Sequence, residues 1–299
     1  MKKAVVAGGT GFMGNALVHW LAEKGWEVTV LTRQQRAAEP GIRYVHWDAR
    51  TTGPWEAELE SSQVLINLCG RTVDCRYNAK NRAEIYASRL DSTRALGEAL
   101  DRCTGKPAVW LNAASATIYR HAEDRRQDEA TGEYGSGFSV DVCKQWEAAF
   151  FSNSTLGIRQ VALRTAIVIG EGGGVMKPLS RLVKTGLGGK MGSGKQMFSW
   201  IHIHDFCRAV EFIIANDALE GPVNLSAPGA VTNESCMQNL RQKAGIPFGL
   251  PLSEPLLELG ARLLRTETEL VLKSRWVWPG RLLDAGFEFQ YGNIQTLMG

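Results

Sequence analysis

Short hydrophobic runs alternate along the first part of the chain with longer segments whose apolar residues recur every three or four positions. The runs that predict strands are Ala4–Ala7, Glu27–Leu31, Arg43–Trp47, Gln63–Leu68, Ala108–Ala114, Arg159–Ile169 and Gly221–Leu225. The segments with helical spacing between them are Asn15–Lys24, Lys80–Arg102 and Phe138–Phe151. Alternating strands and helices of this kind predict an α/β fold with a parallel sheet.

After about residue 170 this alternation stops and helical patterns dominate. The predicted helices there are Val175–Lys184, Phe206–Ala215, Asn233–Ala244, Ser253–Leu264 and Glu267–Lys273, and Gly186–Gln196 is a glycine-rich loop. Asp205 is placed to cap the helix Phe206–Ala215. We therefore expect a Rossmann-type doubly wound parallel sheet with a smaller, mostly helical C-terminal substrate domain. The predicted division gives residues 1–163 and 200–225 to a nucleotide-binding domain, and 164–199 and 226–299 to a substrate domain.

A glycine-rich turn lies between the first strand and the first helix. It reads Gly8-Gly9-Thr10-Gly11-Phe12-Met13-Gly14. Glycines at this spacing permit a tight turn, a close approach of the backbone to a pyrophosphate, and close packing of helix on strand. The helix N-terminus adds free amide donors. The pattern predicts a dinucleotide site, and a tight turn without a ligand is the alternative.

The residue that follows the second strand selects the cofactor. An acidic residue there binds the ribose 2′-hydroxyl of NAD, whereas a basic residue suits the 2′-phosphate of NADP. This chain has Thr32-Arg33, with Arg36 nearby. A guanidinium can hold a phosphate with two parallel hydrogen bonds, so the sequence favours NADP. A solvated loop arginine is the alternative.

Composition excludes several other classes. The 299 residues are 44% hydrophobic and carry a formal charge of +3, without a basic block that would indicate a nucleic-acid partner. The six cysteines are scattered without a CxxC pair, which argues against a zinc ribbon and fits a reducing cytoplasm. No metal site, membrane span or signal peptide is expected.

Several motifs in order along the chain resemble the extended short-chain dehydrogenase/reductase superfamily, and within it the atypical epimerase family proteins of family 39U. They are the glycine turn, Ile66-Asn67-Leu68-Cys69-Gly70, Ser88-Arg89 with Thr93, Ser115-Ala116-Thr117-Ile118-Tyr119, Trp146-Glu147-Ala148-Ala149, the Gly186–Gln196 loop, Trp200-Ile201-His202-Ile203 with Asp205, Gly221-Pro222-Val223-Asn224 and Gly286-Phe287-Glu288-Phe289. The resemblance spans residues 1 to about 295.

The resemblance implies a cofactor and its contacts. The cofactor would be NADP, bound by the Gly8–Gly14 turn (Gly8, Gly9, Thr10, Gly11, Phe12, Met13 and Gly14), Thr32, Arg33, Leu68, Cys69, Glu84, Arg89 and Val168. From their positions alone, Glu84 and Arg89 are equally explained as a surface pair. Dimers of the superfamily often form through the two long helices, which makes a homodimer an expectation.

The superfamily's proton-transfer pair, Tyr-x-x-x-Lys, is missing. Counted back from Glu147, the tyrosine position is Ser139 and the lysine position is Cys143, while Ser115 matches the substrate-binding serine. The candidates for a replacement are Tyr119, Tyr134, Lys144, His202 and Cys143. Tyr119 and Cys143 are more typical of core residues, and Lys144 is turned about 100° away from the lost position.

Two functions remain open. One is an NADP-dependent oxidoreductase or sugar-nucleotide-like epimerase with an unusual proton-transfer group, acting on a small molecule. The alternative is a non-catalytic NADP-binding sensor or scaffold, and the resemblance includes relatives linked to cell or plastid division. A positioned acid or base contributes about 10²–10⁴ in rate, so loss of the pair would weaken catalysis without abolishing hydride transfer.

Overall fold

The computed structural model describes residues 2–153, 157–171 and 173–294. Its strands are β1 (Lys2–Ala7), β2 (Trp26–Thr32), β3 (Ile42–His46), β4 (Val64–Asn67), β5 (Val109–Ser115), β6 (Arg159–Thr165), β7 (Ile167–Ile169), β8 (Met197–Phe198), β9 (Trp200–His202), β10 (Gly221–Leu225) and β11 (Val231–Thr232). Seven of them form one parallel sheet in the order β3-β2-β1-β4-β5-β6-β10. The strand order reverses between β1 and β4, which is where doubly wound sheets bind nucleotides. The predicted Rossmann-type fold is confirmed.

Helices cover both faces of the sheet. They are α1 (Phe12–Glu23), α2 (Ala79–Arg102), α3 (Phe138–Phe151), α4 (Met176–Lys184), α5 (Ile203–Ala215), α6 (Asn233–Lys243), α7 (Glu254–Leu264), α8 (Glu269–Leu272) and α9 (Gly280–Asp284). Leu17 of α1 and Val210 of α5 are buried on one face of the sheet, while Leu96 of α2 and Phe150 of α3 are buried on the other. Strands covered on both faces explain why the sequence shows continuous hydrophobic runs.

Two predicted elements differ in the structure. The single strand expected over Arg159–Ile169 is wrong, because β6 ends at Thr165 and β7 leaves the main sheet to pair with β9. Asp205 does not cap the following helix. The helix begins at Ile203, and the imidazole of His202 accepts the hydrogen bond from the His204 amide, at 3.3 Å.

Asp205 instead ties two parts of the chain together. Its buried carboxylate pairs with Arg208 at 2.8 Å and accepts hydrogen bonds from the backbone amides of Gln290 and Tyr291. The last described segment thereby returns to the first part of the chain, where Leu282 and Phe287 join the same hydrophobic cluster as α1 and α5. The division of the chain into two domains at the expected boundaries stays a prediction.

The remainder of the C-terminal part is mainly helical. α4 and α6 pack around Leu179, Val183 and Met237, and two small two-stranded sheets, β11-β8 and β7-β9, join this part to the main sheet. Among the helices described, none is long and apolar enough to cross a membrane.

Candidate active site

The glycine turn brings the ends of β1 and β4 into contact with the start of α1. Gly8 has a φ of +75°, and a Cβ at this position would lie 2.8 Å from the backbone of Leu68 and Cys69. A Cβ on Gly14 would lie 2.6 Å from the carbonyl oxygen of Gly8. Only glycine fits either position, so the turn is as tight as the sequence pattern predicts.

Gly11 differs from these two glycines because the space in front of it is open. Its backbone is extended, with a φ of −80°, and a Cβ added there would meet nothing within 4 Å. Gly11 is also the N-cap of α1 and provides no side-chain acceptor, so the first amides of the helix keep their donor capacity. An open space in front of an uncapped helix N-terminus suits a pyrophosphate.

The end of β2 presents a cation. Thr32 is buried and accepts a hydrogen bond from the Gln34 amide, whereas the next residue, Arg33, is exposed. Within the described residues, Arg33 has no hydrogen bond or ion pair. The guanidinium of Arg36 lies 5.8 Å from the ring centroid of Tyr44. Arg33 is therefore available to an anion beside the glycine turn.

The other residues expected to contact a cofactor lie around the same edge of the sheet. Burial raises the pKa of the Cys69 thiol to about 12, and its backbone amide donates to Asn67. The guanidinium of Arg89 lies 5.0 Å from the Trp146 ring centroid and next to Gly70. The structure thus brings Gly8, Leu68, Cys69 and Arg89 together. Glu84, which precedes Arg89 on α2, pairs with Arg71.

Phe12 and Val168 both lie against the glycines that follow β7. A Cβ on Gly173 would lie 2.4 Å from the Phe12 ring, and one on Gly174 would lie 2.7 Å from the Val168 carbonyl oxygen. The glycine-rich segment after β7 therefore packs against the turn. The roles of these residues, like those of Gly9, Thr10 and Met13, stay predictions.

The two positions of the missing Tyr-Lys pair have other partners. Ser139 donates a hydrogen bond to the Glu269 carboxylate at 2.8 Å. Cys143 is buried, as expected, and burial raises the pKa of its thiol to about 11. Ser115 lies at the end of β5, where its hydroxyl accepts from the Thr117 amide at 3.2 Å. Ser115 can orient a substrate oxygen, but neither Ser139 nor Cys143 is suited to proton transfer near neutral pH.

The two tyrosines considered as replacements both bind the buried Arg164, Tyr119 from within the core and Tyr134 from an exposed position. Tyr119 is in the core, as expected, where its hydroxyl accepts from Arg164 at 2.9 Å and donates to Asn224 at 3.0 Å. Burial raises the pKa of Tyr119 to about 12. The Tyr134 hydroxyl also accepts from Arg164, which in addition forms two hydrogen bonds of 2.8 Å with Glu147. Both tyrosine hydroxyls therefore already have a protein partner.

Lys144 and His202 are also committed elsewhere. The Lys144 ammonium donates to the Gly135 carbonyl oxygen at 2.9 Å on the exposed side of α3. The His202 ring caps α5 and lies 3.9 Å from the Tyr291 ring centroid, and burial lowers its pKa. Of the five sequence candidates, Cys143 therefore stands at a position of the lost pair, and the other four side chains have the partners described above.

The sequence did not indicate the segment that follows α8. The Lys273 ammonium donates to the Thr117 carbonyl oxygen at 2.8 Å, two residues after Ser115. The buried Arg275 guanidinium donates to the Thr117 hydroxyl at 3.3 Å. Both side chains line a cavity of about 40 Å³ whose walls include Ile167 and Phe198. The segment is 156 positions from Thr117, and a contact at that separation leaves no pattern in a single sequence.

Comparison with known proteins agrees with this geometry. A model of the "NAD dependent epimerase/dehydratase family" matches residues 4–226, and a "domain of unknown function (DUF1731)" matches residues 253–298. An epimerase family protein of Staphylococcus epidermidis is 30% identical over 299 residues, covering 100% of this chain and 98% of its own length.

Two solved structures are similar over 99% of this chain. The human epimerase family protein SDR39U1, solved with NADPH, has a TM-score of 0.86 at 28% identity, with 97% of its own chain covered. A nucleoside-diphosphate sugar epimerase of Corynebacterium glutamicum has a TM-score of 0.79 at 28% identity, with 57% of its chain covered. Together with the family match over most of the chain, these likenesses show that the chain belongs to the NAD dependent epimerase/dehydratase family, as an atypical short-chain dehydrogenase/reductase.

Proposed function

We propose that this protein binds NADPH and uses it to reduce a small carbonyl compound. The observation that carries the cofactor is Arg33, an exposed guanidinium without a partner among the described residues, which follows β2 beside the open space at Gly11. An arginine at this point binds the 2′-phosphate that distinguishes NADP from NAD. The human relative solved with NADPH supports the same choice.

The substrate would bind beside Ser115, between the His121–Gly137 loop and the Gly186–Trp200 segment. The cavity at Lys273 and Arg275 is about 40 Å³, which accommodates a few water molecules, and Ser115 is not among the residues that line it. A cytoplasmic location and a homodimer remain predictions.

A second candidate is a non-catalytic NADPH-binding protein. The observation that favours it is the pair of replaced positions, Ser139 and Cys143. In that case NADPH would stabilise a conformation that a partner recognises, and no substrate would consume the cofactor.

Cofactor fluorescence tests the NADPH binding that both candidates share, and turnover of a carbonyl compound separates the two. NADPH and NADH are titrated into the wild type, Arg33→Ala and the control Arg94→Ala, which removes an exposed arginine of α2. We expect Arg33→Ala to weaken NADPH binding by about ten- to a hundredfold, the value of one charge-assisted contact, and to leave NADH nearly unchanged. Equal losses for both nucleotides would show that Arg33 does not bind the 2′-phosphate. NADPH binding without turnover of any carbonyl compound would favour the second candidate.

A further inference from the structure

Lys273 lies where three separate elements meet. Its ammonium donates to the Thr117 carbonyl oxygen at 2.8 Å, just beyond the end of β5. Cys143 of α3 and Glu269 of α8 are near enough to influence its charge. Cys143 holds the position that carries a lysine in the superfamily, so Lys273 brings an amine from the C-terminal part into the surroundings of that position.

The Lys273 ammonium has donor capacity to spare. An ammonium has three N–H groups, and the described residues supply one acceptor, the Thr117 carbonyl oxygen. The side chain lines the same cavity as Ile167 and Phe198, which is largely apolar. A substrate oxygen bound near the end of β5 would therefore meet a donor that forms no ion pair among the described residues.

One cation and one carboxylate act on the charge of Lys273. The cation is Arg275, which is buried and forms no ion pair with a carboxylate among the described residues. Glu269 is the nearby carboxylate, and it accepts from Ser139. Burial chiefly, and then the charge of Arg275, lower the pKa of Lys273 to about 8, while Glu269 and Cys143 act in the opposite direction.

We propose that Lys273 is the proton donor to the substrate oxygen at this site, in place of the missing Tyr-Lys pair. The inference rests on the proposed reduction of a carbonyl compound. The proposed donor is the side-chain amine of Lys273, in the C-terminal part of the chain. The step does not need any of the five replacement candidates found in the sequence.

The step balances without any further reactant. Bound NADPH would supply the hydride that the carbonyl carbon receives. As the C=O double bond becomes a single bond, its electron pair moves to oxygen, and the N–H bond of Lys273 breaks as the O–H bond of the alcohol forms. Lys273 is left as a neutral amine and takes a new proton from solvent. A pKa near 8 leaves the amine mostly protonated at pH 7 yet much more acidic than an ordinary lysine, whose pKa is 10.5.

The experiment compares Lys273→Met, Lys273→Arg and the control Lys184→Met, which removes an exposed lysine at the end of α4. The dissociation constant of NADPH is measured for each protein by fluorescence. The protonation of Lys273 is followed by NMR of protein labelled with ¹³C at the lysine ε-carbons, with the signal assigned by its loss in Lys273→Met. The kcat/KM for a carbonyl panel is then measured from pH 6 to 10.

We expect a Lys273 signal that titrates near pH 8, whatever the activity. Lys273→Met should bind NADPH within twofold of the wild type and lose about 10²–10⁴ in kcat/KM, the usual contribution of a positioned acid. The wild-type kcat/KM should fall as pH rises through 8, and this fall should be absent in Lys273→Met. Lys273→Arg keeps the charge but does not release a proton in this range, so it should also lose activity.

Three results would overturn the inference while leaving the proposed function intact. They are an active wild type with Lys273→Met within threefold of it, full activity in Lys273→Arg, and a Lys273 signal that titrates above pH 10. A folded wild type that binds NADPH but reduces no carbonyl compound would overturn the proposed reduction, and this inference with it. If Lys273→Met does not fold, two other measurements still test the inference. They are the kcat/KM of Lys273→Arg and the pH at which the Lys273 signal of the wild type titrates.

Discussion

The open space at Gly11 allows cofactor binding to be removed without loss of the fold. A valine at this position would keep its extended backbone, and its Cβ would meet no protein atom within 4 Å. The N-cap preference disfavours valine by up to about 1 kcal/mol, while the more restricted unfolded chain gains about 0.4–1 kcal/mol in the opposite direction. We therefore expect Gly11→Val to change the free energy of unfolding by less than about 1 kcal/mol.

The valine side chain at position 11 should greatly weaken the binding of NADPH. It would occupy the space in front of the first amides of α1, where the pyrophosphate is expected. Loss of two hydrogen bonds to a charged group costs about 3–6 kcal/mol, which is a factor of about 10²–10⁴ in the dissociation constant. NADH should lose as much, because both nucleotides share the pyrophosphate. Gly11→Ala should have a smaller effect of the same kind.

Gly14→Ala is the matched contrast. Its Cβ would lie 2.6 Å from the Gly8 carbonyl oxygen and 2.7 Å from the Gly9 Cα, so this variant should lose stability as well as affinity. Urea denaturation measures the first quantity, and fluorescence titration with NADPH measures the second. Wild-type affinity in folded Gly11→Val would show that the pyrophosphate does not bind at the turn, and an unfolded Gly11→Val would show that the space is not open.

Two further predictions concern stability. Glu147→Leu leaves the buried Arg164 guanidinium without its carboxylate and should lower the free energy of unfolding, measured in urea, by about 3–5 kcal/mol. The double variant with Glu147→Leu and Arg164→Met should recover most of this loss. A loss under about 1 kcal/mol in Glu147→Leu alone would contradict the prediction. Because burial lowers the pKa of His202, the unfolded chain binds its proton more readily, and the wild type should lose stability as pH falls below the ordinary value of 6.5. His202→Asn keeps an acceptor for the His204 amide, so its stability relative to the wild type should rise between pH 7.5 and 5.5; parallel pH curves would refute the assignment.

The sequence predicts the sheet well because its strands are buried on both faces and therefore show as uninterrupted hydrophobic runs. The break at Ala166 is hidden for another reason. Residues 159–169 combine β-branched and polar side chains as one strand would, while the hydrogen-bonding partner changes between β6 and β7. The sequence favours Asp205 over His202 as the cap of α5, because aspartate is the more usual N-cap residue.

Some residues of the candidate site can be predicted from the sequence, and others cannot. The glycine turn and Arg33 belong to a local pattern and could be found without coordinates. Lys273 could not, because what distinguishes it from other lysines is its burial beside Thr117, 156 positions away. Conversely, the patterns around Tyr119 and Lys144 did not reveal that other protein groups hold both side chains.

Leu282 and Phe287 pack in the same hydrophobic cluster as α1 and α5, and this has a consequence for the chain during synthesis. The main sheet is complete at Leu225, but Leu282 and Phe287, which cover part of its face, are made roughly 60 residues later. At about 5–20 residues per second, this delay is roughly 3–12 s. For that time the nascent chain carries a finished sheet with an uncovered apolar patch. The patch is a ready contact for a chaperone or for a neighbouring copy on the same message, and any truncation before Leu282 makes that exposure permanent.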